Sequence, residues 1–262
     1  MSDDALGSQL REKLAGGRKL LVPYLTCGLP SPEGFVRLYQ MLAPHADAIE
    51  VGIPFSDPVM DGPVIQRSSV RALELGMTVD GCLGLVKEAV SGCATPAVIM
   101  TYFNPVHSYG LARFAAAAAS AGVSGLIVPD LPYEECAELD EALLKEGVAL
   151  IQLVAPTTPE ERASMLAAAS RGWIYAVSRM GVTGERDSLA SSAAEVVGRV
   201  KPHTDLPVLL GVGISSPELA SRAVEVADGV IVGAAVVGRV LEGDLEGAVG
   251  LIKKMREAIG QA

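Results

Sequence analysis

One acid stands inside an otherwise apolar run, Ala48-Ile49-Glu50-Val51-Gly52-Ile53-Pro54-Phe55. Burial disfavours the charged form of a carboxyl group, so a Glu placed there keeps its proton toward neutral pH and suits proton transfer. The other reading is a structural Glu paired with a buried base or amide. The loop that follows, Ser56-Asp57-Pro58-Val59-Met60-Asp61-Gly62-Pro63, carries two more acids. Asp61 either caps a helix that starts near Pro63 or joins Glu50 as a second carboxylate of different burial, one donating a proton and the other stabilising charge. Two glycine-rich turns come later, Gly211-Val212-Gly213-Ile214-Ser215-Ser216 and Val232-Gly233-Ala234-Ala235. Small residues let backbone N–H groups approach a phosphate, and a helix starting beyond each turn adds its positive end. The same glycines would also serve close packing of strand on helix. The polar stretch 178–187, with Gly181 and Gly184, reads either as a lid or as a surface loop.

Other chemistries lack their residues. Lys13, Lys19, Lys87, Lys145, Lys201, Lys253 and Lys254 fall in predicted helices, helix ends or strand starts, which leaves none for a Schiff base at a strand C-terminus. Of the histidines, only His107 follows a strand closely, too few for a metal cluster. Cys27, Cys82, Cys93 and Cys136 form no Cys-x-x-Cys pair and read as reduced thiols. No metal is expected. What remains is acid/base lyase or isomerase chemistry on a phosphorylated substrate.

The elements that must position these groups repeat along the chain. Aliphatic and β-branched runs occur at 20–26, 48–53, 97–102, 125–128, 149–154, 173–177, 207–211 and 229–232, and stretches of helical period lie between most of them. Ser31-Pro32-Glu33, Thr158-Pro159-Glu160 and Ser216-Pro217-Glu218 read as helix starts, each with a hydroxyl cap, a proline in the first turn and an acid at the positive end. The strands are nearly continuous apolar runs, as parallel strands covered on both faces are. Eight such units predict a single (β/α)8 barrel domain over residues 1–262, with residues 1–17 as an extra helix closing its bottom. An open doubly wound sheet fits less well, because no Gly-x-Gly-x-x-Gly follows the first strand. In such a barrel, functional groups come from strand C-termini and the loops after them.

Length and charge agree with that picture. The 262 residues are 50% hydrophobic, enough for a sizeable core, and 31 acids against 21 bases give a net charge of -10. An acidic chain is a poor partner for nucleic acid or an anionic membrane. The start Met1-Ser2-Asp3-Asp4 lacks the basic and apolar segments of a signal peptide, and the longest uncharged stretch, 89–112, contains Pro96, Asn104 and Pro105. The expectation is a cytoplasmic protein without a membrane span.

The run Glu50-Val51-Gly52-Ile53-Pro54-Phe55-Ser56-Asp57-Pro58 with Asp61-Gly62-Pro63, then Asp130-Leu131-Pro132, Tyr175, Ser178-Arg179-Met180-Gly181-Val182-Thr183-Gly184 and Gly211-Val212-Gly213-Ile214, resembles the tryptophan synthase alpha subunit over nearly the whole chain. The resemblance implies retro-aldol cleavage of indole-3-glycerol phosphate to indole and glyceraldehyde 3-phosphate. It makes Glu50 the acid/base residue and Asp61 the carboxylate that accepts from the indole N–H. Tyr24, Met100, Tyr102 and Tyr175 would wall the substrate pocket, with Thr183 in the closing loop. Gly184, Gly213, Gly233 and Ala234 would hold phosphate. The resemblance also implies an α2β2 complex with a beta subunit, which receives indole and carries pyridoxal phosphate, so that this chain holds no cofactor. Pro54, Asp57 and Pro58 would lie at that interface. A stand-alone lyase releasing free indole, and a non-catalytic activator of the beta subunit, are the competing readings. Three residues depart from the family pattern: Tyr24 where many members carry Phe, Leu29 in place of the Asp of a Gly-Asp-Pro turn, and Ala234 in place of a phosphate-binding Ser. Leu29 bears on the first loop and on the partner contact.

Overall fold

The computed structural model describes residues 4–177, 186–211 and 213–260, with 186–192 described by backbone alone. Eight strands form a closed barrel in sequence order: β1 (Leu20–Thr26), β2 (Ile49–Gly52), β3 (Ala97–Met100), β4 (Val123–Ile127), β5 (Ala149–Val154), β6 (Ile174–Val177), β7 (Val208–Gly211) and β8 (Gly229–Val232). Every neighbouring pair is parallel, and β8 closes on β1. The (β/α)8 barrel expected from the eight apolar runs is the observed architecture. Among the described residues no helix is long and apolar enough to cross a membrane.

Strand period sorts the side chains. On β1, Leu20 and Val22 join the barrel interior with Val98, Ile127, Ile151 and Leu209, whereas Leu21 and Leu25 pack outward under the helices. Both faces are therefore buried, which is why these strands read as continuous apolar runs. Tyr24 follows Val22 on the interior side and lies in register with Glu50.

The helix Ala5–Ala15 plugs the bottom, as expected from residues 1–17. Leu6 and Leu10 pack into the interior cluster, and Leu6 touches the space above Gly125 and Gly172, where a Cβ would stand about 3 Å from its methyl carbon. Asp4 caps this helix by accepting from Gly7 N–H at 2.9 Å and also accepts from Gly172 N–H at 2.9 Å, fixing the plug to the turn before β6.

Beside the plug lies Asp47, fully buried at the entry to β2. Its carboxylate meets Arg18 at 2.7 Å, Lys13 at 3.3 Å and Arg256, and it accepts from Leu21 N–H at 2.9 Å. One side chain thus joins the plug, β1, β2 and the helix Leu245–Ile259.

Two of the three expected hydroxyl caps form. Ser31 accepts from Gly34 N–H at 3.1 Å and Ser216 from Leu219 N–H at 3.4 Å. Thr158 does not cap: the helix Glu160–Ala169 starts after Pro159, and the Thr158 hydroxyl turns back to accept from Ala155 N–H at 3.0 Å. The preceding turn competes for the hydroxyl and wins. Leu29 points into the main core at 2% exposure. Buried there, its side chain offers nothing to a partner, so this departure affects packing of the first loop and not an outer surface.

Candidate active site

The strand C-termini and the loops after them enclose a cavity of about 290 Å³. Its wall includes Tyr24, Glu50, Asp61, Met100, Tyr175, Gly213, Gly233 and Ala234. Eight residues singled out in the sequence, drawn from seven parts of the chain, therefore meet in one place.

Glu50 sits at 1% exposure, and its Oε2 has no hydrogen-bond partner. Among the described residues no base or amide is paired with it, which does not favour the reading of a paired structural Glu. Burial, with the nearby Asp61 charge adding to it, pushes the Glu50 carboxyl up to about 8. Asp61 is half-buried and is raised by burial, opposed by a hydrogen bond with Tyr102. The two acids differ in environment, which is the condition for dividing acid and base roles between them.

Asp61 does not cap a helix. The helix Pro63–Glu74 starts from Gly62 with no side-chain cap, leaving the Asp61 carboxylate at the cavity. Its loop is held from both sides: the Gln66 amide donates to the Asp61 carbonyl at 2.9 Å, and Met60 N–H donates to the Tyr102 hydroxyl at 2.9 Å.

That contact corrects the expectation for Tyr102. It is not among the residues that line the cavity; its ring packs on Phe55 with centroids 5.3 Å apart, and its hydroxyl holds the Asp61 loop. Because Met100 faces inward at the last position of β3, Tyr102, beyond the strand end, is free of strand alternation and turns to the loop. Tyr24 and Tyr175 do face the cavity, and each leans over a glycine of the neighbouring strand. A Cβ on Gly52 would fall inside the Tyr24 hydroxyl, and one on Gly211 inside the Tyr175 ring. Burial foremost, then the acids, holds both phenols protonated: Asp61 ahead of Glu50 at Tyr24, Glu50 ahead of Asp61 at Tyr175. Gly211→Ala should therefore cost about 1–3 kcal/mol by overpacking. Thermal unfolding checks this, and parental stability would mean that Tyr175 has room to move.

At the opposite wall, Gly213 has φ +79°, a backbone conformation that favours glycine. Gly233 precedes the helix Ala234–Leu241, whose first two residues, Ala234 and Ala235, line the cavity with it. Thr183 and Gly184 lie outside the described residues, as does the stretch 178–185 around them. The cavity also includes Met60, Ile65, Leu153, Ile214 and Ile231. Leu153 shares the parity of Ile151 on β5, so counting in twos from an inward residue would have found it, whereas Ile65 on a helix gave no such signal.

Residues 10–260 match the tryptophan synthase alpha chain family. The chain belongs to this family. It is 40% identical over 260 residues to the tryptophan synthase alpha chain of Picosynechococcus sp., covering 98% of each chain. To that of Thioalkalivibrio sulfidiphilus it is 43% identical, covering 94% of this chain and 95% of the relative. Among solved structures, tryptophan synthase subunit alpha from Legionella pneumophila superposes with a TM-score of 0.88 at 36% identity and 98% coverage of both chains. Tryptophan synthase from Mycobacterium tuberculosis gives 0.89 at 40% identity and 97% coverage of both.

Proposed function

We propose that the chain is the alpha subunit of tryptophan synthase, a cytoplasmic lyase that cleaves indole-3-glycerol phosphate to indole and glyceraldehyde 3-phosphate. The observation that carries the reading is the buried Glu50, its Oε2 without a partner among the described residues, facing the same cavity as Asp61 and the glycine turns after β7 and β8. Held at about 8, the Glu50 carboxyl is protonated at neutral pH and can deliver its proton to indole C3. The bond from C3 to the glycerol chain then breaks, and its electron pair returns to the indole ring. The hydroxyl-bearing carbon becomes the aldehyde as its O–H proton passes back to Glu50, which restores the acid. Asp61 accepts from the indole N–H, where positive charge gathers once C3 is protonated. Tyr24, Met100 and Tyr175 shape the apolar wall against the ring.

Phosphate sits against the backbone N–H groups of Gly213, Gly233 and Ala234, with the N-terminal end of the helix Ala234–Leu241 behind it. Ala234 brings an N–H and no hydroxyl. A hydrogen bond to a charged group contributes about 1.5–3 kcal/mol, so Ala234→Ser should tighten glycerol phosphate binding about tenfold or somewhat more. Calorimetric titration reads this, and unchanged affinity in the folded variant would place the phosphate elsewhere.

The loop after β2 is where a beta subunit docks. Pro54 is buried and sets the loop's course, Asp57 is exposed and Pro58 half-buried, and beside them Val59 and Met60 are 77% and 63% exposed. Apolar side chains this open, at the rim of the cavity, favour a covering partner. Pyridoxal phosphate belongs to that partner, and an α2β2 assembly follows the family. The test is indole release from indole-3-glycerol phosphate with and without a beta subunit. Full activity of the chain alone would favour the stand-alone enzyme, and no cleavage in either case would leave only the activator.

A further inference from the structure

Behind the cavity wall, two buried hydroxyls meet with no part in the chemistry above. Thr26, the last residue of β1, is 3% exposed, and Ser68, on the helix Pro63–Glu74, is fully buried; their oxygens are 2.6 Å apart. The Ser68 hydroxyl also donates to the Ile65 carbonyl at 2.7 Å. Each hydroxyl has one proton. With Ser68's committed to Ile65, the proton between the two oxygens comes from Thr26, so the chain runs from Thr26 to Ser68 to the first turn of that helix.

The turn it reaches is the one that carries the site. Ile65 lines the cavity, and the helix begins two residues after Asp61. Gln66, in the same turn, donates to the Asp61 carbonyl at 2.9 Å. At its other end the chain starts from the cavity floor, because Thr26 is in register with Gly52, the glycine against which the Tyr24 hydroxyl rests.

We propose that the Thr26–Ser68 hydroxyl pair is a positioning device for Asp61, fixing the helix after the β2 loop against the end of β1 so that the carboxylate meets the indole N–H. The proposal rests on the reading of Asp61 given above. Neither hydroxyl touches substrate. Thr26 also bonds the Tyr24 hydroxyl and Ile65 lines the cavity, so dependence of the effect on the Asp61 carboxylate is what separates positioning of Asp61 from general support of the wall.

The experiment measures affinity of the full chain for a non-cleavable substrate analogue, indole joined to a propyl phosphate, by calorimetry. Thr26→Val replaces the hydroxyl with a methyl of similar size, and should weaken binding roughly three- to tenfold, the worth of one buried hydrogen bond. Thr26→Ser should restore it. In an Asp61→Asn background, already weakened, Thr26→Val should change affinity by less than about twofold. Ser68→Ala breaks the same link from the other side and serves as the test if Thr26→Val fails to fold. An equal loss in both backgrounds overturns the proposal, because the pair would then support the cavity as a whole. So does parental affinity in folded Thr26→Val and Ser68→Ala. Parental affinity and turnover in Asp61→Asn alone would instead remove the role of Asp61, and the positioning proposal with it.

Discussion

Glu50→Gln should lower turnover of indole-3-glycerol phosphate at least about 100-fold, the lower end of what a positioned general acid contributes. The amide matches the shape of the acid but has no proton to give to C3 and no carboxylate to take one back. Affinity for the substrate should largely survive, since the proposed phosphate and indole contacts lie on other residues. Turnover by the parent chain should also fall as pH rises through about 8, where Glu50 loses its proton. Steady-state rates of both proteins between pH 6 and 9 check this. A folded Glu50→Gln protein with near-parental turnover would end the proposed mechanism.

The same substitution should stabilise the fold in alkali. Between about 4.5 and about 8 the folded chain keeps a proton on Glu50 that the unfolded chain has released. The folded state binds more protons there, so its stability falls as pH rises through that window. At about 1.4 kcal/mol for each pH unit, the upper limit is roughly 5 kcal/mol. Gln carries no such cost. Thermal unfolding at pH 5 and pH 9 should show Glu50→Gln gaining on the parent at the higher pH, so that one residue limits stability and supplies activity.

Asp47→Ala should be the most damaging change away from the cavity, lowering stability by about 3–5 kcal/mol. Removing a buried partner leaves its counter-charges uncompensated. Here three cations converge on one fully buried carboxylate, and Arg256 is itself largely buried. The Leu21 N–H loses its acceptor as well. Denaturant unfolding gives the value. A loss below about 1 kcal/mol would mean that water replaces the carboxylate and that the junction of plug, β1 and last helix is held by apolar packing alone.

The barrel was legible because parallel strands buried on both faces leave continuous apolar runs, and those runs recur eight times. Glu50 was legible for the same reason, being the one acid inside such a run. Positions beyond a strand end were not. The resemblance puts Tyr102 in the pocket wall, but the strand stops at Met100 and the ring turns to the Asp61 loop. Thr158 has a cap's sequence, yet its own turn takes the hydroxyl. For Asp61 the local sequence left capping and catalysis equal, and only the fold, which starts the helix from Gly62, separates them. The Asp47 cluster and the Thr26–Ser68 pair join residues far apart in the chain, so no local spacing announces them.

The most direct measurement counts both products of one reaction. The purified chain, with a beta subunit present but withheld from serine, is given indole-3-glycerol phosphate, and indole and glyceraldehyde 3-phosphate are quantified separately over time. The account predicts equal amounts of the two from the parent chain, and at least about 100-fold slower appearance of both from Glu50→Gln. Absence of either product from the folded parent chain, or equal rates from parent and Glu50→Gln, would contradict it.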